Sequence, residues 1–119
     1  MAATLSKSER LCGKTAIAGL MEHGKGSVAG CLRYKCVVRD DGDAVSRILV
    51  SVPKRSFKRA IKRNLLKRRI RESYRLQKEL LPAGMDIAFI YVSREVLPFE
   101  DVYSSMTAAL TAVSQQVTA

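Results

Sequence analysis

One quarter of this sequence holds almost no acidic residues, and the whole of it holds few of the usual carriers of chemistry. There is a single histidine, His23. It precedes Gly24 at an expected helix end, where a C-terminal cap or an incidental surface position suits it better than catalysis. Cys12, Cys31 and Cys36 are odd in number and lack the paired short spacing of a zinc site. They read as reduced, half-buried thiols of a cytosolic protein, not as a disulfide or metal set. No apolar run approaches the roughly 18 residues of a membrane span, and the polar start Met1–Arg10 is no secretory signal. The chain has no glycine-rich phosphate loop, and its most basic stretch has no acidic cluster for Mg²⁺ and no carboxylate pair for acid–base chemistry. No Ser or Cys nucleophile stands in a motif with a histidine. These absences disfavour an enzyme that works through its own side chains.

What is present is charge of one sign. The chain has 119 residues, 47% of them hydrophobic, which suits one domain, 1–119, with one modest core. Of its 21 Lys and Arg, 12 lie between Lys54 and Leu81, opposed only by Glu72 and Glu79. That segment carries +10, and the remaining 9 basic and 9 acidic residues cancel. Localised positive charge points to a polyanion partner, because neutralising phosphates releases counterions and drives association. A merely solvated helix face mixes signs to form i,i+4 pairs, and this one does not.

A coarse pass gives the order helix, strand, strand, helix, strand, helix, with no repeat or linker. Ser6-Lys7-Ser8-Glu9 fits a capping box, and the helix after it is expected to turn Leu11, Ile17, Leu20 and Met21 inward and to stop at Gly24. In "CLRYKCVVR", Leu32, Tyr34, Cys36 and Val38 alternate with Arg33, Lys35, Val37 and Arg39, the pattern of a half-buried strand. A turn at Asp40–Asp43 and the strand Arg47–Val52 suggest a hairpin with it. A short extra strand near Ser27–Ala29 is weakly signalled. Ser56 is the expected N-cap of a basic helix over about 57–81. "MDIAFIYVS" reads as a central strand covered on both faces. Pro98 or Phe99 opens a last helix with Val102, Met106, Leu110, Val113 and Val117 on one stripe. Helices mixed with a small, partly antiparallel sheet make an α+β sandwich.

The stretch "KRAIKRNLLKRRIRESYR" (58–75) is Lys or Arg at half of its positions. On a helix of about 100° per residue, Leu66, Ile70, Tyr74 and Leu81 share an arc of roughly 80°. Asn64, Lys67, Arg68, Arg71, Arg75 and Lys78 share a separate arc of roughly 100°. One face is for a core and the other presents cations. Ile61, Leu65 and Leu76 lie on a third side, expected against the first helix or the preceding loop. A rigid row of Arg and Lys recognises phosphates, Arg bidentately. Asn64 adds an amide suited to a 2′-hydroxyl or a base edge. Composition leaves RNA and DNA both open, but the absence of a leucine zipper and the bounding Pro53 and Pro82 disfavour a basic-zipper reader.

"RNLLKRRIRE" (Arg63–Glu72) resembles the signature helix of the bacterial ribonuclease P protein subunit, whose pattern is Arg-Asn-x-x-Lys-Arg-x-x-Arg. "LVSVPKR" before it, "HGKGSVAG" (His23–Gly30) and "PAGMDIAFIYV" are similar to the family's flanking segments, and the likeness spans about Leu11 to Val113. The resemblance implies a ferredoxin-like or ribosomal-S5-like two-layer α-β-β-β-α-β-α sandwich with a left-handed β-α-β crossover. It implies the non-catalytic protein subunit of an endoribonuclease. The catalyst would be a large RNA that removes 5′ leaders from precursor tRNA using Mg²⁺, with no cofactor bound by the protein alone. The partners would be that RNA and the leader, with no membrane, in a cytoplasmic protein that is monomeric without RNA.

Carried over by position, Arg63, Asn64, Lys67, Arg68 and Arg71 would contact the catalytic RNA, with Arg75 extending the row. Many members read Arg-Asn-Arg where this chain has Leu65, so one RNA contact would be either missing or supplied by Lys62 or Arg69. The resemblance also implies a cleft between the signature helix and the sheet that holds the single-stranded leader. Two Phe residues line it in many members, and Ile17 and Met21 stand at the matching positions here. Tyr34 is open between core and cleft. Arg33 and Lys35 are open between solvent and leader phosphates, and Lys54 and Arg55 join the leader group. A structural RNA-binding protein, such as a small ribosomal protein using the same helix, is the competing reading.

Overall fold

The structure is a computed structural model that describes residues 11, 14–39 and 45–118. Cys12, the expected capping box and the turn at Asp40–Asp43 lie outside the described residues, and so does the side chain of Val117. The elements run α1 (Lys14–His23), β1 (Lys25–Ala29), β2 (Leu32–Val38), β3 (Arg47–Ser51), α2 (Ala60–Gln77), a 3₁₀ turn (Lys78–Leu80), β4 (Met85–Tyr91) and α3 (Phe99–Thr118).

The four strands form one sheet in the order β1-β2-β4-β3. The expected hairpin between the strands at Leu32 and Arg47 does not form. The hairpin is instead β1–β2, antiparallel, with Ala29 opposite Leu32. The weakly signalled extra strand is therefore real. Gly30 turns it at φ 57, and a Cβ there would lie 2.3 Å from Ser105 Oγ. Strand β4 takes the place between β2 and β3, antiparallel to one and parallel to the other. The reason is burial: β4 is the most apolar strand and is covered on both faces along nearly its whole length, so it belongs at the centre. Because α2 connects β3 to β4, the two can run parallel.

Helices α2 and α3 cover one face of the sheet and α1 packs on the other, against β2 and β4. Alternation in the strands sorts the two faces. Leu32, Tyr34, Cys36, Ile48, Ile87, Phe89 and Tyr91 join Leu66, Ile70 and Tyr74 of α2 and Val102, Met106, Leu110 and Val113 of α3 in the main core. Leu11, Leu20 and Ala88 make a smaller cluster on the far face, with Ile17, Val37 and Leu49 packed around it. Tyr34 is thus a core residue. Val38, expected to point inward, is 56% exposed because β2 runs past the end of the core there. Met21, also expected inward, is 38% exposed. Cys31 and Cys36 are buried and free, and burial raises both thiol pKa values.

One ionic cluster pins the β3–β4 register. Arg47 lies opposite Asp86 and grips it bidentately, Nε to Oδ1 at 2.8 Å and Nη2 to Oδ2 at 2.7 Å. Arg39, at the end of β2, adds a contact of 3.5 Å to the same carboxylate. On the open side of β3, the Leu11 amide donates to Ile48 O at 2.8 Å, covering part of that edge.

Candidate nucleic-acid interface

Helix α2 follows directly on the loop 52–59 that leaves β3. The expected N-cap at Ser56 is not used. Arg59 is the N-cap and makes no side-chain cap hydrogen bond. What holds the helix is its apolar stripe. Leu66 and Ile70 are fully buried and Tyr74 nearly so, its ring 6.1 Å from that of Phe89. Full burial of such a side chain contributes about 1.5–3 kcal/mol. The opposite arc carries the charge outward: Asn64, Arg68, Arg71 and Lys78 are exposed, and Lys67 and Arg75 half-buried. Arg75 is held by Glu72, Nη2 to Oε1 at 2.6 Å, and this hydrogen bond raises its pKa above the ordinary guanidinium value.

Two of the expected contacts of the signature helix face elsewhere. Arg63 Nη1 donates to Phe57 O at 2.7 Å and to Lys58 O at 2.9 Å. Arg69 Nη1 donates to Leu97 O, in the loop after β4. Helical geometry carried this signal: counted from Leu66, Arg63 falls at roughly 60°, inside the apolar stripe, and Arg69 at roughly 300°, off the cationic arc. Lys62 is exposed on the same shoulder as Arg69. Ile61 and Leu76, expected against α1 or the loop, are instead 82% and 45% exposed. Helix α1 lies on the other face of the sheet and cannot reach them.

The cleft is also on that other face. The space between α2 and the sheet is filled by Leu66, Ile70 and Tyr74, so nothing can thread there. A cavity of about 620 Å³ instead opens beside α1, lined by Met21, Arg33, Lys35, Pro53, Arg55, Ser56, Ile90, Tyr91, Val92 and Arg94. Its floor is the part of the sheet that α1 leaves uncovered, where Arg33 lies opposite Ile90. Four of its lining residues are cationic and none is acidic. Lys35 Nζ also donates to Met21 O at 2.7 Å, satisfying a carbonyl in the last turn of α1. Of the expected leader group, Met21, Arg33, Lys35 and Arg55 come together here. Lys54 is exposed nearby in sequence but does not line the cavity. Ile17 packs in the smaller cluster and Tyr34 in the main core. Ile90, Val92 and Arg94 were missed, because reading β4 as covered on both faces gave no cue that one end of it is bare.

A family model of ribonuclease P matches residues 5–114. The chain belongs to the ribonuclease P protein family. It is 39% identical over 121 residues to a ribonuclease P protein component from Porphyromonas gingivalis, covering 95% of this chain and 88% of the relative. A ribonuclease P protein component from Syntrophus aciditrophicus is 32% identical over 116 residues, covering 97% and 95%. Among solved structures, the Thermotoga maritima RNase P protein aligns with a TM-score of 0.74 at 26% identity, over 87% of this chain and 96% of its own. The Staphylococcus aureus RNase P protein shares the fold, with a TM-score of 0.76 at 20% identity over 89% and 95%. As in those ribonuclease P proteins, the fold is a mixed α+β sandwich, with four strands and three helices among the described residues.

Proposed function

We propose that this chain binds the catalytic RNA of ribonuclease P through the cationic arc of α2. In the same reading its cleft holds the single-stranded 5′ leader of precursor tRNA, which assists RNA-catalysed maturation. One observation carries this reading. Two separate cationic surfaces sit on opposite sides of one small sheet, an exposed cation row on α2 and a four-cation cleft with an aliphatic floor. A structural RNA-binding module would use the row and would need no cleft. Phosphates would meet Arg68, Arg71 and Lys67 at the row, and Arg33, Arg55 and Arg94 in the cleft. Bases in the cleft would lie on Ile90, Val92 and Met21, without the aromatic stacking worth roughly 1–3 kcal/mol per base.

Mg²⁺ and the hydrolytic chemistry belong to the RNA in this reading. The protein contributes screening of phosphate charge near the reacting bond and a hold on the leader. Its place is with RNA in the cytoplasm, and among the described residues no helix is long and apolar enough to cross a membrane. The test is cleavage of precursor tRNA by the catalytic RNA at low Mg²⁺, with and without the protein. The protein should restore cleavage at Mg²⁺ concentrations where the RNA alone is slow. It should do so more for substrates with a leader long enough to fill the cleft. Cleavage unchanged by the protein would sink the reading, and robust cleavage by contaminant-free protein without RNA would replace it.

A further inference from the structure

We infer that Arg69 is a positioning residue, which ties one rim of the cleft to α2 and so sets leader affinity without touching RNA; the inference rests on the reading of the cleft above. Strands β3 and β4 are parallel, with Ser51 opposite Ile90. Their following loops therefore leave the sheet side by side. The first, 52–59, carries Arg55 and Ser56 into the cleft, and the second, 92–98, carries Val92 and Arg94. Phe57 of the first loop packs on Tyr91, the last residue of β4 before the second, ring centroids 5.8 Å apart.

Each loop is then fastened to α2 by one guanidinium. Arg63 donates to the carbonyls of Phe57 and Lys58 at the end of the first loop. Arg69 donates to Leu97 O at the end of the second. That second loop is closed on itself around one hydroxyl: Tyr91 Oη donates to Glu95 O and accepts from the Leu97 amide at 3.2 Å. The strap thus ends on a segment that is already folded. A tie to a rigid segment moves the whole rim, where a tie to a floppy one would move only its end. A side chain committed in this way on the shoulder of the helix does not add to the outward row formed by Asn64, Lys67, Arg68 and Arg71. The row and the rims share one helix but use different arginines.

The experiment compares wild type, Arg69→Ala and Arg69→Lys in three measurements. Amide exchange in the free protein should quicken across 92–98 in Arg69→Ala and be partly restored in Arg69→Lys, whose single ammonium can still reach one carbonyl. The reconstituted holoenzyme of Arg69→Ala should lose up to roughly tenfold of its preference for leader-bearing over leaderless substrate, the scale of one charged hydrogen bond. Affinity for the catalytic RNA, and its dependence on salt, should match wild type. A salt slope reduced by about one with leader preference intact would make Arg69 a phosphate contact and overturn the inference. Unchanged exchange across 92–98 would overturn it as well. Should the wild-type holoenzyme itself show no leader preference, the reading of the cleft fails first and takes the inference with it.

Discussion

Ile70 and Arg68 lie two residues apart on one helix, yet their replacement by alanine should have opposite consequences. Ile70 is fully buried beneath α2. Ile→Ala removes three carbons, about 2.4 kcal/mol at roughly 0.8 kcal/mol per buried CH₂. The cavity left behind adds to this, giving a total within the roughly 2–5 kcal/mol of such truncations. The neighbours are large and interlocked, with Tyr74 set against Phe89, so the site cannot collapse fully and about 3 kcal/mol is expected. For a chain of this size the melting temperature should fall by roughly 10–15 °C. Arg68 is exposed on the outward arc, and its loss should change stability by no more than about 0.5 kcal/mol.

RNA binding should invert the order. Arg68→Ala should weaken binding to the catalytic RNA, whereas Ile70→Ala, measured below its melting temperature on the folded fraction, should bind close to wild type. Thermal melts followed by circular dichroism and filter binding on the same preparations decide the matter. If Arg68→Ala melts early and Ile70→Ala does not, the faces of α2 have been assigned the wrong way round, and the assignment of the cation row goes with them.

Three further outcomes are expected. Affinity for the catalytic RNA should fall steeply with salt, with a log–log slope of several units if most of the arc meets phosphates, and a nearly flat titration would count against phosphate-dominated docking. Asp86→Ala should cost about 3–5 kcal/mol, because it leaves the side chains of Arg39 and Arg47, 8% and 29% exposed, without their shared carboxylate; a melt within a few degrees of wild type would refute that. Stability should be level below the unfolded cysteine range and decline as pH rises past 9.0, since Cys31 and Cys36 have raised pKa values when folded and the unfolded chain releases those protons first. Melts at a series of pH values should lose the part of this decline that begins near 9.0 in the Cys31→Ala, Cys36→Ala double variant, and keep the part above 10.0 that Tyr34 and Tyr91, whose pKa values burial also raises, contribute.

Much of this was legible because periodicity is a local signal. The apolar stripe of α2, its outward cation row and the inward stripe of α3 follow from the 3.6-residue repeat alone. Strand pairing is not local. Nothing near Leu32 or Arg47 says that a strand forty residues further on will come between them, and the expected hairpin failed for that reason. The cleft was half legible. Met21, Arg33, Lys35 and Arg55 could be proposed by likeness, but its place on the face opposite α2 depends on how far α1 extends across the sheet. The roles of Arg63 and Arg69 could have been suspected from their helical angles, but the carbonyls that hold them belong to loops with no recognisable pattern.

The same helix shows what concentrating charge does to a fold. Helix α2 has no acidic residue in its first turn and an arginine without a cap hydrogen bond at its N-cap. Cations at that end oppose the helix dipole, which favours negative charge there. The arc beyond it gathers like charges with Glu72 as the one carboxylate inside α2. A segment of this kind has little reason to be helical alone, and burial of Leu66, Ile70 and Tyr74 on the sheet has to supply what its local electrostatics withhold. Phosphates laid along the arc would remove the repulsion that the fold tolerates. Any ligand that binds only the folded state raises stability in proportion to the logarithm of its concentration over Kd, and here it would act on the element with the greatest excess of positive charge. The apolar stripe therefore holds the row of cations in place against the repulsion between them.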